Sequence, residues 1–197
     1  MRLILATTNR DKIREIRLAL GGLPVDLLTL ADLPPVPVPE ETGRTFADNA
    51  AAKALAYWRA LRLPTVAEDS GLAIDALGGR PGVESARYPG RTYADRFDAL
   101  YRELAPHPRP WTARFVCALA FVDRDEAPTY QCEATVDGEI APTPAGTNGF
   151  GYDPIFYYPP YGATLADVDD ERKLAVSHRG RAFREFRAWI GARGMGK

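Results

Sequence analysis

A short apolar run at residues 3–6 gives way to the polar segment Thr7-Thr8-Asn9-Arg10-Asp11-Lys12, after which Ile13, Ile16 and Leu20 recur at helical spacing. This pattern predicts a strand, a loop and a helix. Gly21-Gly22 ends that helix, residues 25–30 read as a second strand, and Leu33-Pro34-Pro35-Val36-Pro37-Val38-Pro39 reads as an extended connector. A second helix is predicted from about residue 45 to residue 61. Pro64 restarts the chain as a strand at 65–67, which ends in Glu68-Asp69-Ser70-Gly71. The order βαβαβ predicts an α/β fold with part of its sheet parallel.

The middle of the chain changes character. Gly78-Gly79-Arg80-Pro81-Gly82 and the proline-rich residues 105–110 bracket a polar, partly helical excursion, read as an insertion or a rim. Beyond it Ala113, Phe115, Cys117, Leu119 and Phe121 alternate with their neighbours, as do Tyr130, Cys132, Ala134 and Val136. Residues 123–128 between them are rich in turn formers, so the two runs predict a hairpin. A last strand is predicted at 152–156, then two helical stretches, the second with Ala182, Phe183, Phe186 and Ile190 on one face.

With 197 residues, 46% of them hydrophobic, the chain can bury an ordinary core as one domain with room for two lobes. Its 25 Lys and Arg against 26 Asp and Glu leave a net charge of -1, which gives no general attraction to nucleic acid or an anionic membrane. Any phosphate-binding charge must therefore be local. The apolar stretches are short and the amino terminus lacks a signal-peptide pattern, so a cytoplasmic location is expected. Cys117 and Cys132 are too few for a disulfide framework and lack the neighbours of a zinc site. They come nearly opposite each other in the predicted hairpin, but free thiols are expected in a reducing compartment.

The first loop sets Thr7, Asn9 and Lys12 between a buried strand and a helix start, where free N–H groups and the helix dipole favour an anion. Either a phosphate binds there or Asn9 caps the helix and Lys12 is solvated. Lys53 lies on the same stripe as Phe46, Ala50, Tyr57 and Leu61 of the second helix, so its stem points toward the protein body. It either runs along apolar surface or projects its ammonium into an internal anionic site. Carboxylates stand at Glu40-Glu41, just before this helix, and at Glu68-Asp69, after a strand; such oxygen ligands suit Mg2+, and ligands of α/β sheets bind at strand carboxyl ends.

The third cluster is Ser177-His178-Arg179-Gly180-Arg181, at the start of the final helix. Cations in a first turn oppose the helix dipole, so a ligand presenting acceptors accounts for them better than helix stability does. Of the two histidines, His107 sits in a Pro-His-Pro loop, which leaves His178 as the functional candidate unless it only satisfies neighbouring polar groups. Two other motifs fail. Gly191-Ala192-Arg193-Gly194-Met195-Gly196-Lys197 has P-loop spacing but no preceding strand and no following Ser or Thr, and reads as a tail. Glu40-Glu41-Thr42-Gly43 is preceded by prolines where a Nudix box needs a helix.

Together the motifs Leu5-Ala6-Thr7-Thr8-Asn9-Arg10-Asp11-Lys12, Glu40-Glu41-Thr42-Gly43, Asp48-Asn49-Ala50, Lys53, Glu68-Asp69-Ser70-Gly71-Leu72 and Ser85-Ala86-Arg87-Tyr88 resemble one family. So do Gly149-Phe150-Gly151-Tyr152-Asp153-Pro154-Ile155-Phe156, Lys173 and Ser177-His178-Arg179. It is the inosine triphosphate pyrophosphatase, or Ham1-like, family of purine nucleoside triphosphate pyrophosphatases, and the resemblance covers nearly the whole chain. Thr8, where glycine is common, and Leu174, where a small or polar residue is more usual, are its departures.

The resemblance implies an α/β, two-lobed fold around a long mixed β-sheet with flanking helices, a nucleotide cleft between the lobes, and a homodimer. It implies that Thr7, Thr8, Asn9, Arg10, Asp11, Lys12, Lys53 and Ser70 meet the substrate, with Thr7, Asn9, Lys12 and Lys53 on the triphosphate. Lys173 is a further ligand-facing lysine, Gly151 also meets the substrate, and Phe150, Tyr152, Asp153, Ser177, His178 and Arg179 belong to the base pocket. Glu41 and Asp69 would bind Mg2+, with Glu40 a one-residue alternative to Glu41, and Asp69 would also be the general base. The implied reaction converts ITP, dITP and XTP to the monophosphate and pyrophosphate, keeping these nucleotides out of DNA and RNA. A 6-oxo purine presents an acceptor where adenine presents an amino donor, so donors from His178 and Arg179 would favour the deaminated bases. A Maf-type pyrophosphatase and a non-enzymatic nucleotide sensor are the rival readings.

Overall fold

The computed structural model describes residues 1–124 and 127–194. Among these, seven strands form one mixed sheet in the order Asp26–Thr29, Arg2–Leu5, Thr65–Ile74, Thr112–Val122, Tyr130–Ile140, Phe156–Tyr158 and Ala163–Thr164, and two compact units divide the chain. Among the described residues no helix is long and apolar enough to cross a membrane.

The first unit comprises Met1–Asp69, Cys117–Ala134 and His178–Lys197. Strand β1 (Arg2–Leu5) runs parallel to β2 (Asp26–Thr29) and to β3 (Thr65–Ile74). Helix α1 (Arg10–Ala19) starts where Asn9 accepts from the backbone N–H groups of Asp11 and Lys12, at 3.0 and 3.1 Å. Such a side chain satisfies donors that the first helical turn otherwise leaves open. Helix α2 (Phe46–Leu61) is capped in the same way by Thr45, and its Ala50, Ala54, Tyr57 and Trp58 pack on Ala67, Ala118, Ala120 and Val122. Alternate residues of the first long hairpin strand, β4 (Thr112–Val122), are buried on the other side: Phe121 meets Phe186 of the last helix at a ring distance of 5.3 Å.

The second unit comprises Ser70–Val116 and Thr135–Ser177. Its core gathers Leu72, Ile74, Phe97, Leu100, Phe115, Val136, Tyr152 and Phe156. The polar excursion contains helix α3 (Tyr93–Leu104), begun by a reciprocal cap between Thr92 and Asp95. The second hairpin strand, β5 (Tyr130–Ile140), pairs antiparallel with β6 (Phe156–Tyr158), which pairs with β7 (Ala163–Thr164). Helix α4 (Asp170–Val176) closes the unit, and α5 (His178–Ala192) returns the chain to the first.

Two expectations change. Residues 152–155 are a tight 3-10 turn, Asp153–Ile155, with the strand beginning only at Phe156. The Asp153 carboxylate accepts from the Phe150 N–H at 2.7 Å and folds the chain back locally. Strand β3 also runs on through Glu68-Asp69-Ser70-Gly71 instead of ending there. Its parallel partner stops first, since β1 pairs only as far as Leu5 with Val66 and Ala6 donates to the Val66 carbonyl at 2.9 Å. The acids thus sit in mid-strand, yet just past the end of the parallel pairing. In the hairpin, Thr129 donates its N–H to Phe121 and its hydroxyl to Asp123, while 125 and 126 in the predicted turn lie outside the described residues. The glycine-rich tail begins inside α5, and its last three positions, 195–197, lie outside them too.

Candidate active site

The first unit carries a dense set of buried charges. Glu68 is 2% exposed on β3, with Lys12 Nζ 2.6 Å from its Oε1 and Arg179 Nη2 3.4 Å from its Oε2. The Cys117 thiol donates to the same Oε2 at 3.4 Å. Arg179 also donates to Glu15 at 2.6 Å, so its guanidinium spans two buried carboxylates. Burial pushes the Glu68 carboxyl up, but Arg179, Lys12 and Lys53 outweigh it and hold it well below the usual range. Burial likewise pushes the Cys117 thiol far up, helped by Glu68, which leaves it protonated and inert.

Beside this network stands a second group. Lys53 forms an ion pair with Glu41 and donates to the Glu68 carbonyl at 3.2 Å. Burial disfavours its ammonium, yet the hydrogen bond it donates to Glu41 and the charges of Glu68, Glu41 and Asp69 together raise its pKa. Of the sequence alternatives, Lys53 therefore projects its charge into an internal anionic site. Glu41 is the member of the acidic pair that reaches it, whereas Glu40 is exposed. Asp69 is 7% exposed and accepts from Asn49 Nδ2 at 2.9 Å. Burial raises its pKa; Asn49 and Lys53 oppose the rise, Glu41 and Glu68 add to it, and the outcome is a carboxyl above its ordinary value.

The first loop is more self-contained than a free phosphate cradle. Asn9 caps α1, its own N–H donates to Thr7 Oγ1 at 3.2 Å, and Thr8, Asn9 and Arg10 are exposed. Asp11 faces Arg14 along the helix at 3.9 Å. Only Lys12 of this segment joins the buried charges.

In the second unit the turn from Gly149 to Asp153 is built around one carboxylate. Asp153 pairs with Lys173, both side chains 3% exposed, and the Lys173 ammonium lies 4.7 Å from the centre of the Phe150 ring. Gly149 has φ +70°, and a Cβ there would fall 2.3 Å from Asp153 Oδ2, so only glycine lets the loop close over that acid. Tyr152 donates to the Ser85 carbonyl at 2.7 Å and meets Tyr93 edge-on at 5.4 Å. Ser70 is half-buried on β3, and Gly151, at φ +68°, faces Tyr93. Ser177 is fully buried at the end of α4, while His178 and Arg179, 5% and 2% exposed, open α5.

Three residues escaped the sequence reading as contributors, Glu15, Cys117 and Tyr93, while Asn49 stood in the Asp48-Asn49-Ala50 motif without an assigned role. Glu15 could have been found, since it follows Lys12 at i+3 and precedes Ala19 at i+4, beside Ile16 on the buried face of the helix. The others depend on pairings that no local spacing reveals.

The family model of the Ham1 family matches residues 3–189. The dITP/XTP pyrophosphatase of Geobacillus kaustophilus is 48% identical over 186 residues, covering 91% of this chain and 89% of that protein. That of Geobacter sulfurreducens is 44% identical over 197 residues, covering 98% of each. Among solved structures, a HAM1 protein from Coxiella burnetii superposes with a TM-score of 0.90 at 38% identity, covering 98% of this chain and 99% of that one. With its sequence matched almost end to end and its fold reproduced, the chain belongs to the Ham1 family.

Proposed function

We propose that this protein hydrolyses deaminated purine nucleoside triphosphates, dITP, ITP and XTP, to the monophosphate and pyrophosphate. The observation that carries the reading is the identity of 44–48% to proteins named dITP/XTP pyrophosphatase over nearly the whole chain. The geometry of the first unit supports it, because two lysines and two further acids surround Glu68 where the parallel pairing ends.

A Mg2+ ion fits the donor set. Magnesium prefers oxygen ligands and takes one or two carboxylates when substrate phosphates and water complete its shell. Glu41 and Asp69, both close enough to Lys53 to shift it, supply two such carboxylates. Among the described residues no three His, Cys, Asp or Glu side chains are grouped where they could hold a metal ion by themselves, so the reading needs substrate phosphates and water to complete the shell. Bound Mg2+ would neutralise phosphate charge and template the reacting groups.

The chain's own groups do the rest. Lys12 and Lys53 are fixed cations for the phosphate oxygens. Asp69, with a carboxyl raised by burial, takes the proton of a water whose oxygen bonds to the α-phosphorus, as the bond from that phosphorus to the bridging oxygen breaks and pyrophosphate leaves. Discrimination against adenine is assigned to donors at the start of α5, His178 and Arg179. The homodimer implied by the resemblance and the cytoplasmic location expected from the apolar pattern of the sequence belong to the same proposal, the first checked by sedimentation equilibrium.

The test is pyrophosphate release from a panel of triphosphates with Mg2+. Rapid release from dITP and XTP, slow release from dATP and none without divalent metal is the expected result. A nucleotide sensor would bind without release, and a Maf-type enzyme would prefer other nucleotides.

A further inference from the structure

Asn49 stands at a junction that the reaction described above does not use. It lies in the first full turn of α2, 2% exposed, and both ends of its amide are committed. Its Oδ1 accepts from the Gly43 N–H at 2.8 Å, and its Nδ2 donates to Asp69 Oδ2 at 2.9 Å. Gly43 belongs to the connector that carries Glu41, and Asp69 is on β3. One buried amide therefore ties together the two segments that bear the carboxylates.

The connector needs such a tie. Between Asp32 and Phe46 the chain has no regular strand or helix, so Glu41 is the one proposed metal acid without a ladder of backbone hydrogen bonds beneath it. Prolines at 34, 35, 37 and 39 stiffen the approach, and Val36 is pinned against the Ala50–Ala54–Tyr57–Trp58 core. Beyond Pro39, the ion pair of Glu41 with Lys53 holds the carboxylate end, and the hydrogen bond from Gly43 to Asn49 holds the backbone before Thr45 caps the helix. The fit is close: a Cβ on Gly43 would lie 2.6 Å from Asn49 Oδ1 and 2.8 Å from the Asp48 Cβ.

We infer that Asn49 is a positioning residue, which sets the separation and orientation of Glu41 and Asp69 and so prepares the pair for a divalent cation. The inference rests on the proposed metal role of those two acids. Partners of this kind, which orient a ligand without touching the metal, change metal affinity about 10- to 100-fold when removed. A structural amide at a helix start would leave metal affinity alone.

The experiment measures Mn2+ binding to the metal-free protein by electron paramagnetic resonance, alongside the Mg2+ concentration for half-maximal dITP hydrolysis. Wild type, Asn49→Ala, Gly43→Ala, Glu41→Gln and Asp69→Asn are compared, with circular dichroism to confirm folding. Asn49→Ala is expected to weaken Mn2+ binding and raise the Mg2+ requirement by the same factor, about 10-fold or more, with a smaller loss of kcat at saturating Mg2+. Gly43→Ala breaks the other arm and carries the same expectation, so it decides the matter should Asn49→Ala not fold. Normal Mn2+ affinity in the folded variant, when Glu41→Gln and Asp69→Asn do lose it, overturns the role of Asn49 alone. Normal affinity in the two acid variants removes the metal reading itself, and the inference with it.

Discussion

Arg179 and Glu15, 164 positions apart in sequence, meet in a 2.6 Å ion pair whose side chains are only 2% and 4% exposed. The pair joins the first turn of α5 to α1 in the first unit, and Glu68 completes the set around the guanidinium. Taking one carboxylate away leaves a buried cation undercompensated, which costs about 3–5 kcal/mol. Glu15→Ala is therefore expected to lower the urea midpoint by that amount of stability, without a change in slope. A loss under about 1 kcal/mol, the range of exposed pairs, would show that the site is hydrated.

Asp69 yields a prediction with two readouts of opposite sense. Asp69→Asn keeps size and hydrogen bonding but removes the charge, and turnover of dITP should fall at least about 100-fold, as when acid–base help is lost. Stability should not fall. The carboxyl's folded pKa is raised above its unfolded value, so the protonated form is the stabilised one and its charge at pH 7 works against the fold. Urea unfolding at pH 7 should find the neutral variant at least as stable as wild type. Near-normal turnover would mean that another acid serves as the base.

Much of this arrangement was legible in the sequence. The apolar run of β1, the Asn9 cap, the stripe of α2 and the two alternating runs of the hairpin all depend on neighbours within a few residues, and all appear in the structure. What escaped depends on distant partners. Glu68-Asp69-Ser70-Gly71 looks like a loop because two adjacent acids are costly in a buried strand, yet an arginine 111 positions away makes Glu68 tolerable there. Tyr152, Ile155 and Phe156 look like a strand, and the Asp153 carboxylate, bonded to the Phe150 N–H and to Lys173, makes most of it a turn. Lys53 left two readings open that only the position of Glu41 could separate.

The second unit should weaken at alkaline pH. Burial, then the hydrogen bond to Glu103, pushes the Tyr88 hydroxyl up to about 12, and burial pushes Tyr101 up to about 12 while its hydroxyl donates to the Ala141 carbonyl. An unfolded tyrosine titrates near 10. With folded values above the unfolded one, the stabilisation is fully present below pH 10 and is lost as pH rises through about 12. Urea midpoints at pH 8 and pH 11 should show this fall. In a Tyr88→Phe, Tyr101→Phe double variant it should be shallower, and an equal fall would assign it to other groups.

Both cysteines are free, and neither should react readily. Cys117 is fully buried with its thiol on Glu68, and burial pushes Cys132 up to about 11 with its thiol toward the Ala182 carbonyl. A disulfide reagent at pH 8 should modify the native protein slowly and two thiols at once after denaturation. One fast thiol in the native state would contradict the burial of its sulfur.

Arg179 is where structural and recognition roles can be separated. Its two terminal nitrogens face Glu15 and Glu68, and a guanidinium offers donors and no acceptor. A donor-only group can favour a 6-oxo purine and cannot accept from a 6-amino group. If it reads the base, Arg179→Ala removes a charge-assisted hydrogen bond of roughly 1.5 to 3 kcal/mol, and kcat/KM for ITP falls about tenfold to more than a hundredfold. Turnover of ATP is expected to change little. If Arg179 serves only as the internal counter-ion of Glu15 and Glu68, its loss loosens the fold and both nucleotides suffer equally. The assay is run well below the unfolding midpoint of the variant, so that lost folded protein does not pass for lost recognition. A fall in the ITP-to-ATP ratio is expected; an unchanged ratio would leave Arg179 to the buried charge network and His178 as the remaining candidate for reading the base.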